Sequence, residues 1–216
     1  MSVKNEVIKS VEQNKIIAIL RGIPKDKILD TAEALYEGGI RLLEVTYSAD
    51  KSVSDEETAE IIKMLVESFK GRMFIGAGTV LTKEQVKLTK KAGGSFIISP
   101  NVDKSVIIKT VKEGLVSIPG ALTPSEICDP DKFGADFVKL FPVTGLGTSY
   151  IKAVKAPLKH IKMLAVGGIT PENIKEFSLS GVCGFGIGSN ITDMKCIAAG
   201  DWQAVTQKAK AFVEAL

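Results

Sequence analysis

The chain is poor in the residues on which disulfide-stapled and metal-dependent proteins rely, with three cysteines and one histidine in 216 residues. Cys128, Cys183 and Cys196 are odd in number and far apart, with no C-x-x-C spacing. Neither a disulfide framework nor a zinc site is indicated, and a reducing cytoplasm fits best. His160 stands ahead of an apolar run and is not accompanied by clustered carboxylates, so the usual metal-dependent chemistries lack ligands and no cofactor is expected. Long apolar runs are also missing. Nothing approaches the roughly 20 uninterrupted apolar residues of a membrane span, and Met1-Ser2-Val3-Lys4-Asn5-Glu6 is polar where a secretion signal would be apolar. A soluble protein that is not exported and has no membrane partner is expected. Charge of one sign does not accumulate either: 28 basic and 25 acidic residues are dispersed, without the basic blocks that mark nucleic-acid partners.

What the chain has is a high apolar content, 45% hydrophobic residues, enough for one large core and a single domain over residues 1–216. Short apolar runs alternate with longer amphipathic segments, the pattern of βαβ units around a parallel sheet. Eight such runs are Ile16–Leu20, Leu42–Thr46, Met73–Ala77, Phe96–Ser99, Val116–Pro119, Phe137–Phe141, Met163–Val166 and Val182–Ile187. Eight repeats predict a (β/α)8 TIM barrel within the α/β class; the competing open doubly wound sheet lacks a G-x-G-x-x-G after its first strand. Ser2–Gln13 reads as an extra N-terminal helix that would close the barrel floor, and Ile191–Cys196 and Trp202–Ala215 as terminal helices. Helix starts are expected at Thr82 with Gln85, at Thr123-Pro124-Ser125-Glu126 and at Thr170-Pro171-Glu172-Asn173. Glycines in Gly38-Gly39, Gly93-Gly94 and Gly181 mark helix ends.

Two charges interrupt the apolar strands. Side chains alternate along a strand, so Phe137, Lys139 and Phe141 share one face, and Leu42, Glu44 and Thr46 share another. With Val138 and Leu140 turned to the helices, Lys139 points into the barrel. Burying an ammonium is costly, so desolvation should lower its pKa and leave a neutral amine able to attack a carbonyl. The alternative is a lysine held by a buried carboxylate for structure alone. Glu44 is the candidate group for moving protons during imine chemistry, with a plain counter-ion to Lys139 as its alternative.

Arg21 ends the first strand at the C-terminal mouth, where barrel enzymes keep their sites, and its guanidinium could hold a carboxylate at two points. Thr79 occupies the matching edge of the third strand, after small residues that suit either ligand approach or a tight turn. Val166-Gly167-Gly168-Ile169 and Gly184-Phe185-Gly186-Ile187-Gly188-Ser189-Asn190 follow the last two strands, where backbone N–H groups can cradle a phosphate.

With these residues in place, the chain resembles the class I 2-keto-3-deoxy-6-phosphogluconate / 4-hydroxy-2-oxoglutarate aldolase family over nearly its whole length. The resemblance rests on Ala18-Ile19-Leu20-Arg21-Gly22, Leu43-Glu44-Val45-Thr46, Gly76-Ala77-Gly78-Thr79-Val80, Ile98-Ser99-Pro100, Pro119-Gly120, Val138-Lys139-Leu140-Phe141-Pro142, Val166-Gly167-Gly168 and Gly188-Ser189. It implies a metal-free aldolase that binds a phosphorylated 2-keto acid and releases pyruvate and D-glyceraldehyde 3-phosphate through an imine on Lys139, with Glu44 transferring protons. It implies pyruvate contacts from Thr79, Pro100 and Phe141, and phosphate held by Gly167, Gly168, Gly188 and Ser189. It further implies a cytoplasmic homotrimer and 4-hydroxy-2-oxoglutarate as a second substrate. Ser48 stands where the gluconate-specific pattern has arginine, and Val166 where it has threonine. Arg21 and Val166 are similar to the galactonate branch, which leaves the epimer open. Isomerisation of a sugar phosphate and phosphosugar binding without turnover are the remaining alternatives.

Overall fold

The computed structural model describes residues 2–216. The apolar runs become strands β1 (Ile16–Leu20), β2 (Leu42–Thr46), β3 (Phe74–Gly78), β4 (Phe96–Ile98), β5 (Val116–Ile118), β6 (Gly120–Ala121), β7 (Val138–Leu140), β8 (Met163–Val166) and β9 (Gly184–Ile187). The helices are α1 (Val3–Asn14), α2 (Ile28–Glu37), α3 (Asp55–Ser68), α4 (Lys83–Lys91), α5 (Lys104–Lys112), α6 (Pro124–Lys132), α7 (Gly147–Lys155), α8 (Ile174–Ser178), α9 (Met194–Ala199) and α10 (Trp202–Glu214). Every strand pairing is parallel, and β1 pairs with both β2 and β9.

The ring is that of a (β/α)8 barrel, because β5 and β6 are one strand interrupted by Pro119. Proline has no N–H to donate, so regular pairing stops there. Before it, Ser99 N donates to Ile118 O at 3.2 Å; after it, Lys139 N donates to Pro119 O at 2.8 Å. The fifth strand thus pairs with β4 along one edge and β7 along the other. The expected run through Pro119 ends one residue earlier for this reason.

Alternation sorts the side chains as period two requires. Val138, Leu140, Leu43 and Val45 face the helices in the larger apolar layer. Ile17, Leu42, Phe96, Ile98, Val116, Ile118, Phe137 and Leu164 fill the barrel, and Val7 and Val11 of α1 seal its floor. The expected plugging role of the N-terminal helix is thereby met.

Two helix starts differ from expectation by more than a residue, while α1 and the end of α10 differ by one. The segment expected as a helix from Ile191 first makes a turn, with the Ile191 and Thr192 amides donating to Gly188 O, and α9 starts only after Asp193 accepts from Lys195 N. Thr170 is not a helix cap: its carbonyl accepts from Asn173 N and Ile174 N in a preceding turn, and α8 begins at Ile174. The capping boxes at Thr82 with Gln85 and at Thr123 with Glu126 form as expected.

Candidate active site

At the C-terminal mouth of the strands lies a cavity of about 660 Å³. Arg21, Thr79, Pro100, Lys139, Phe141 and Val166 line one part of it. Gly167, Gly168, Gly188 and Ser189 line the other. Ten of the eleven residues named from the sequence therefore share one space. Glu44, the eleventh, lies just below in a narrow recess that also touches Lys139 and Val166.

Lys139 is held at the floor by its strand. Its side chain is buried at 6% exposure, with Nζ 4.7 Å from the centre of the Phe141 ring. Burial, helped by the Arg21 charge, pushes its pKa below the ordinary lysine range, while Glu44 acts against the shift. Glu44 is 1% exposed, and neither of its carboxylate oxygens accepts a hydrogen bond. Burial pushes its pKa up, and the charges of Lys139 and Arg21 do not cancel the effect. The two side chains share an apolar recess with no hydrogen bond between them.

The space for Glu44 is made by β3. A Cβ at Gly78 would sit 1.6 Å from Glu44 Oε1, so only glycine permits the carboxyl to lie there. Gly78 serves this carboxyl and Gly76 makes room for the Phe96 ring, uses not separable in the sequence from ligand approach or turn formation. Thr79 itself has φ +54, a left-handed conformation that a β-branched residue rarely adopts and that costs on the order of 1–2 kcal/mol. Its hydroxyl accepts a 3.4 Å hydrogen bond from Arg21 Nη2, which fixes the guanidinium over the cavity. Ser48 does not join this group. It donates to Asp50 and lies 2.9 Å from Ser52 Oγ, in a second cavity on the other side of Arg21.

The glycine turns present backbone to the cavity. Gly167 and Gly168 both have positive φ, at +103 and +72, which L side chains rarely adopt. Among the described residues, the amides of Gly167, Gly168, Gly188 and Ser189 donate to no protein acceptor. Four donors around one recess suit a phosphate. Asn190, inside the second glycine turn read from the sequence, lines the cavity too, as do Ile19, Thr192 and Met194, which the sequence reading does not single out. Ile19 shares the phase of Arg21 and is legible there; Thr192 and Met194, beyond the second turn, carry no such signal.

No group of three or more His, Cys, Asp or Glu is arranged to hold a metal among the described residues. No helix among them is long and apolar enough to cross a membrane. His160 is exposed on the surface, with Nε2 4.0 Å from Asp131.

The sequence pattern of the KDPG and KHG aldolase family matches residues 7–208. The chain is 35% identical over 201 residues to the 2-dehydro-3-deoxy-6-phosphogalactonate aldolase of Escherichia coli K12, covering 93% of each chain. It is 31% identical to the 2-dehydro-3-deoxy-phosphogluconate aldolase of Treponema pallidum, covering 93% of this chain and 92% of that one. The structure superposes with a TM-score of 0.84, at 29% identity, on a Legionella pneumophila KDPG aldolase that holds pyruvate as a covalent carbinolamine, covering 95% of this chain and 97% of that one.

Proposed function

Since the chain belongs to the KDPG and KHG aldolase family, we propose that it is a class I aldolase reversibly cleaving 2-dehydro-3-deoxy-6-phosphogluconate to pyruvate and D-glyceraldehyde 3-phosphate. The observation that carries this reading is a buried lysine with a depressed pKa at the floor of the cavity, beside a buried glutamate that lacks any hydrogen bond. The neutral Lys139 amine adds to the C2 carbonyl, and the carbinolamine loses water to leave an iminium. Removal of the C4 hydroxyl proton then breaks the C3–C4 bond, and its electron pair moves into the iminium to form the enamine of pyruvate. The aldehyde leaves with the phosphate. Protonation at C3 and hydrolysis release pyruvate and restore the amine. In this reading Glu44 exchanges these protons, because its raised pKa lets it hold a proton that an exposed glutamate would have lost.

In this reading Arg21 and Thr79 take the carboxylate, Pro100 and Phe141 flank the pyruvyl carbons, and the four glycine-turn amides take the phosphate. The protein would work in the cytoplasm as a homotrimer, as cysteine usage and the family resemblance suggest.

One observation favours the epimeric 6-phosphogalactonate substrate. Val166 offers shape but no hydroxyl where a hydrogen bond could select the C4 configuration. The two readings share the imine. Incubating the purified protein with each 6-phosphorylated epimer and following pyruvate release separates them. Release from the gluconate epimer is expected. Release from the galactonate epimer alone would move the assignment to that branch, and release from neither would remove the aldolase reading.

A further inference from the structure

The two glycine turns are tied together by a side chain that the cleavage steps do not use. Asn190 Nδ2 donates to the Ile169 carbonyl at 2.7 Å, reaching from the turn after β9 to the turn after β8. Neighbouring side chains hold the adjoining carbonyls within each turn. Asn173 Nδ2 donates to Gly168 O at 2.9 Å and its Oδ1 accepts from Thr170 N at 2.9 Å. The Thr192 hydroxyl, in a residue buried at 5% exposure, lies 3.0 Å from both Gly188 O and Ile19 O and shares its one hydrogen between them.

A trans peptide points its N–H opposite to its carbonyl. Drawing Gly188 O back to Thr192 therefore turns the Ser189 N–H the other way, and drawing Gly168 O to Asn173 does the same for the Ile169 N–H. These two side chains orient amides within their own turns. Asn190 is different because it joins one turn to the other, so it governs how far apart the two halves of the cradle stand. Donors that are spaced in advance bind an anion without a further ordering cost.

We propose that Asn190 is a positioning residue that sets the spacing of the two glycine turns and so gives the site its preference for phosphorylated substrates. The proposal rests on the reading of these turns as the phosphate site, and the experiment keeps the two apart. In the full-length protein, inorganic phosphate should inhibit cleavage of the phosphorylated keto acid competitively. Asn190→Ala removes the tie, and Asn190→Asp keeps the shape while losing the donor. In both, the KM for phosphorylated substrate and the inhibition constant of inorganic phosphate should rise about tenfold, the worth of one well-made hydrogen bond. Their kcat should change far less than KM, and pyruvate trapping by borohydride should lose several-fold less than kcat/KM does.

Competitive phosphate inhibition that is the same in wild type and both variants would overturn the proposal while leaving the phosphate site in place. No phosphate inhibition of the wild type would overturn the phosphate reading itself and the proposal with it. Equal losses in pyruvate trapping and in phosphate inhibition would show a general structural role instead, and would also overturn it.

Discussion

Lys139 and Glu44 are each an expensive residue to bury, and their environments push their pKa values toward the neutral forms of both. A neutral amine and a neutral carboxyl side by side are what nucleophilic addition followed by acid-assisted loss of water needs. The stability consequence follows from the sign of the Glu44 shift. Its folded-state pKa is raised, so the native protein keeps a proton that the unfolded chain has lost. Glu44 thus supports stability fully below an ordinary glutamate pKa of about 4.3, and that support is lost as pH rises from there toward the folded value. Glu44→Gln removes this titration. The decline of the urea midpoint as pH rises above about 4 should be shallower in the variant than in the wild type; parallel curves would show that Glu44 ionises freely in the fold. In the same variant kcat should fall on the order of 10²–10⁴-fold, measured as pyruvate release, if the carboxyl moves protons in the reaction.

At the scale of elements, β2, β3 and β7 divide the work: β2 carries the carboxyl, β7 carries the amine, and β3 supplies only empty space. Gly78→Ala tests the last of these. The added methyl meets Glu44 Oε1 at 1.6 Å, so the carboxyl must move. Overpacking of this kind costs about 1–3 kcal/mol, and kcat should drop by about 10²-fold as proton transfer loses its geometry. Near-wild-type kcat together with unchanged thermal unfolding would mean that Glu44 can be displaced without consequence.

The division was partly legible in the sequence. Period-two alternation in Phe137–Phe141 and Leu42–Thr46 was enough to turn Lys139 and Glu44 inward, since both strands are short and neither contains a break. The glycine pair after β8 and the glycine-rich run ending at Gly188 were visible because glycine is seldom clustered inside helices or strands. What could not be read was which atoms meet. That Gly78 accommodates Glu44, that Arg21 reaches Thr79 58 positions away, and that Asn190 spans two turns all depend on strand register. The late start of α9 escaped for a different reason: the apolar residue Ile191 continues the helical pattern, but Gly188 captures its amide in a turn.

For the molecule as a whole, the barrel separates stability from chemistry along its axis. The floor is closed by Val7 and Val11 of α1 against Ile17, Leu42 and Phe137, whereas the cavity opens at the other end. Val11→Ala, which deletes two buried methyl groups, should lower the unfolding free energy by about 2 kcal/mol by denaturant titration. Its kcat and KM should stay near those of wild type, because the lost contacts lie below the Lys139 layer. A change in kcat larger than the change in stability would mean that floor and mouth are coupled through the barrel.

The central claim is that Lys139 forms an imine with the keto acid, and borohydride reduction in the presence of pyruvate tests it most directly. Peptide mass analysis of the intact, folded protein should place the reduced pyruvyl adduct on Lys139 and on no other lysine. A folded protein that gains no mass at Lys139, or that gains it elsewhere, would contradict the account.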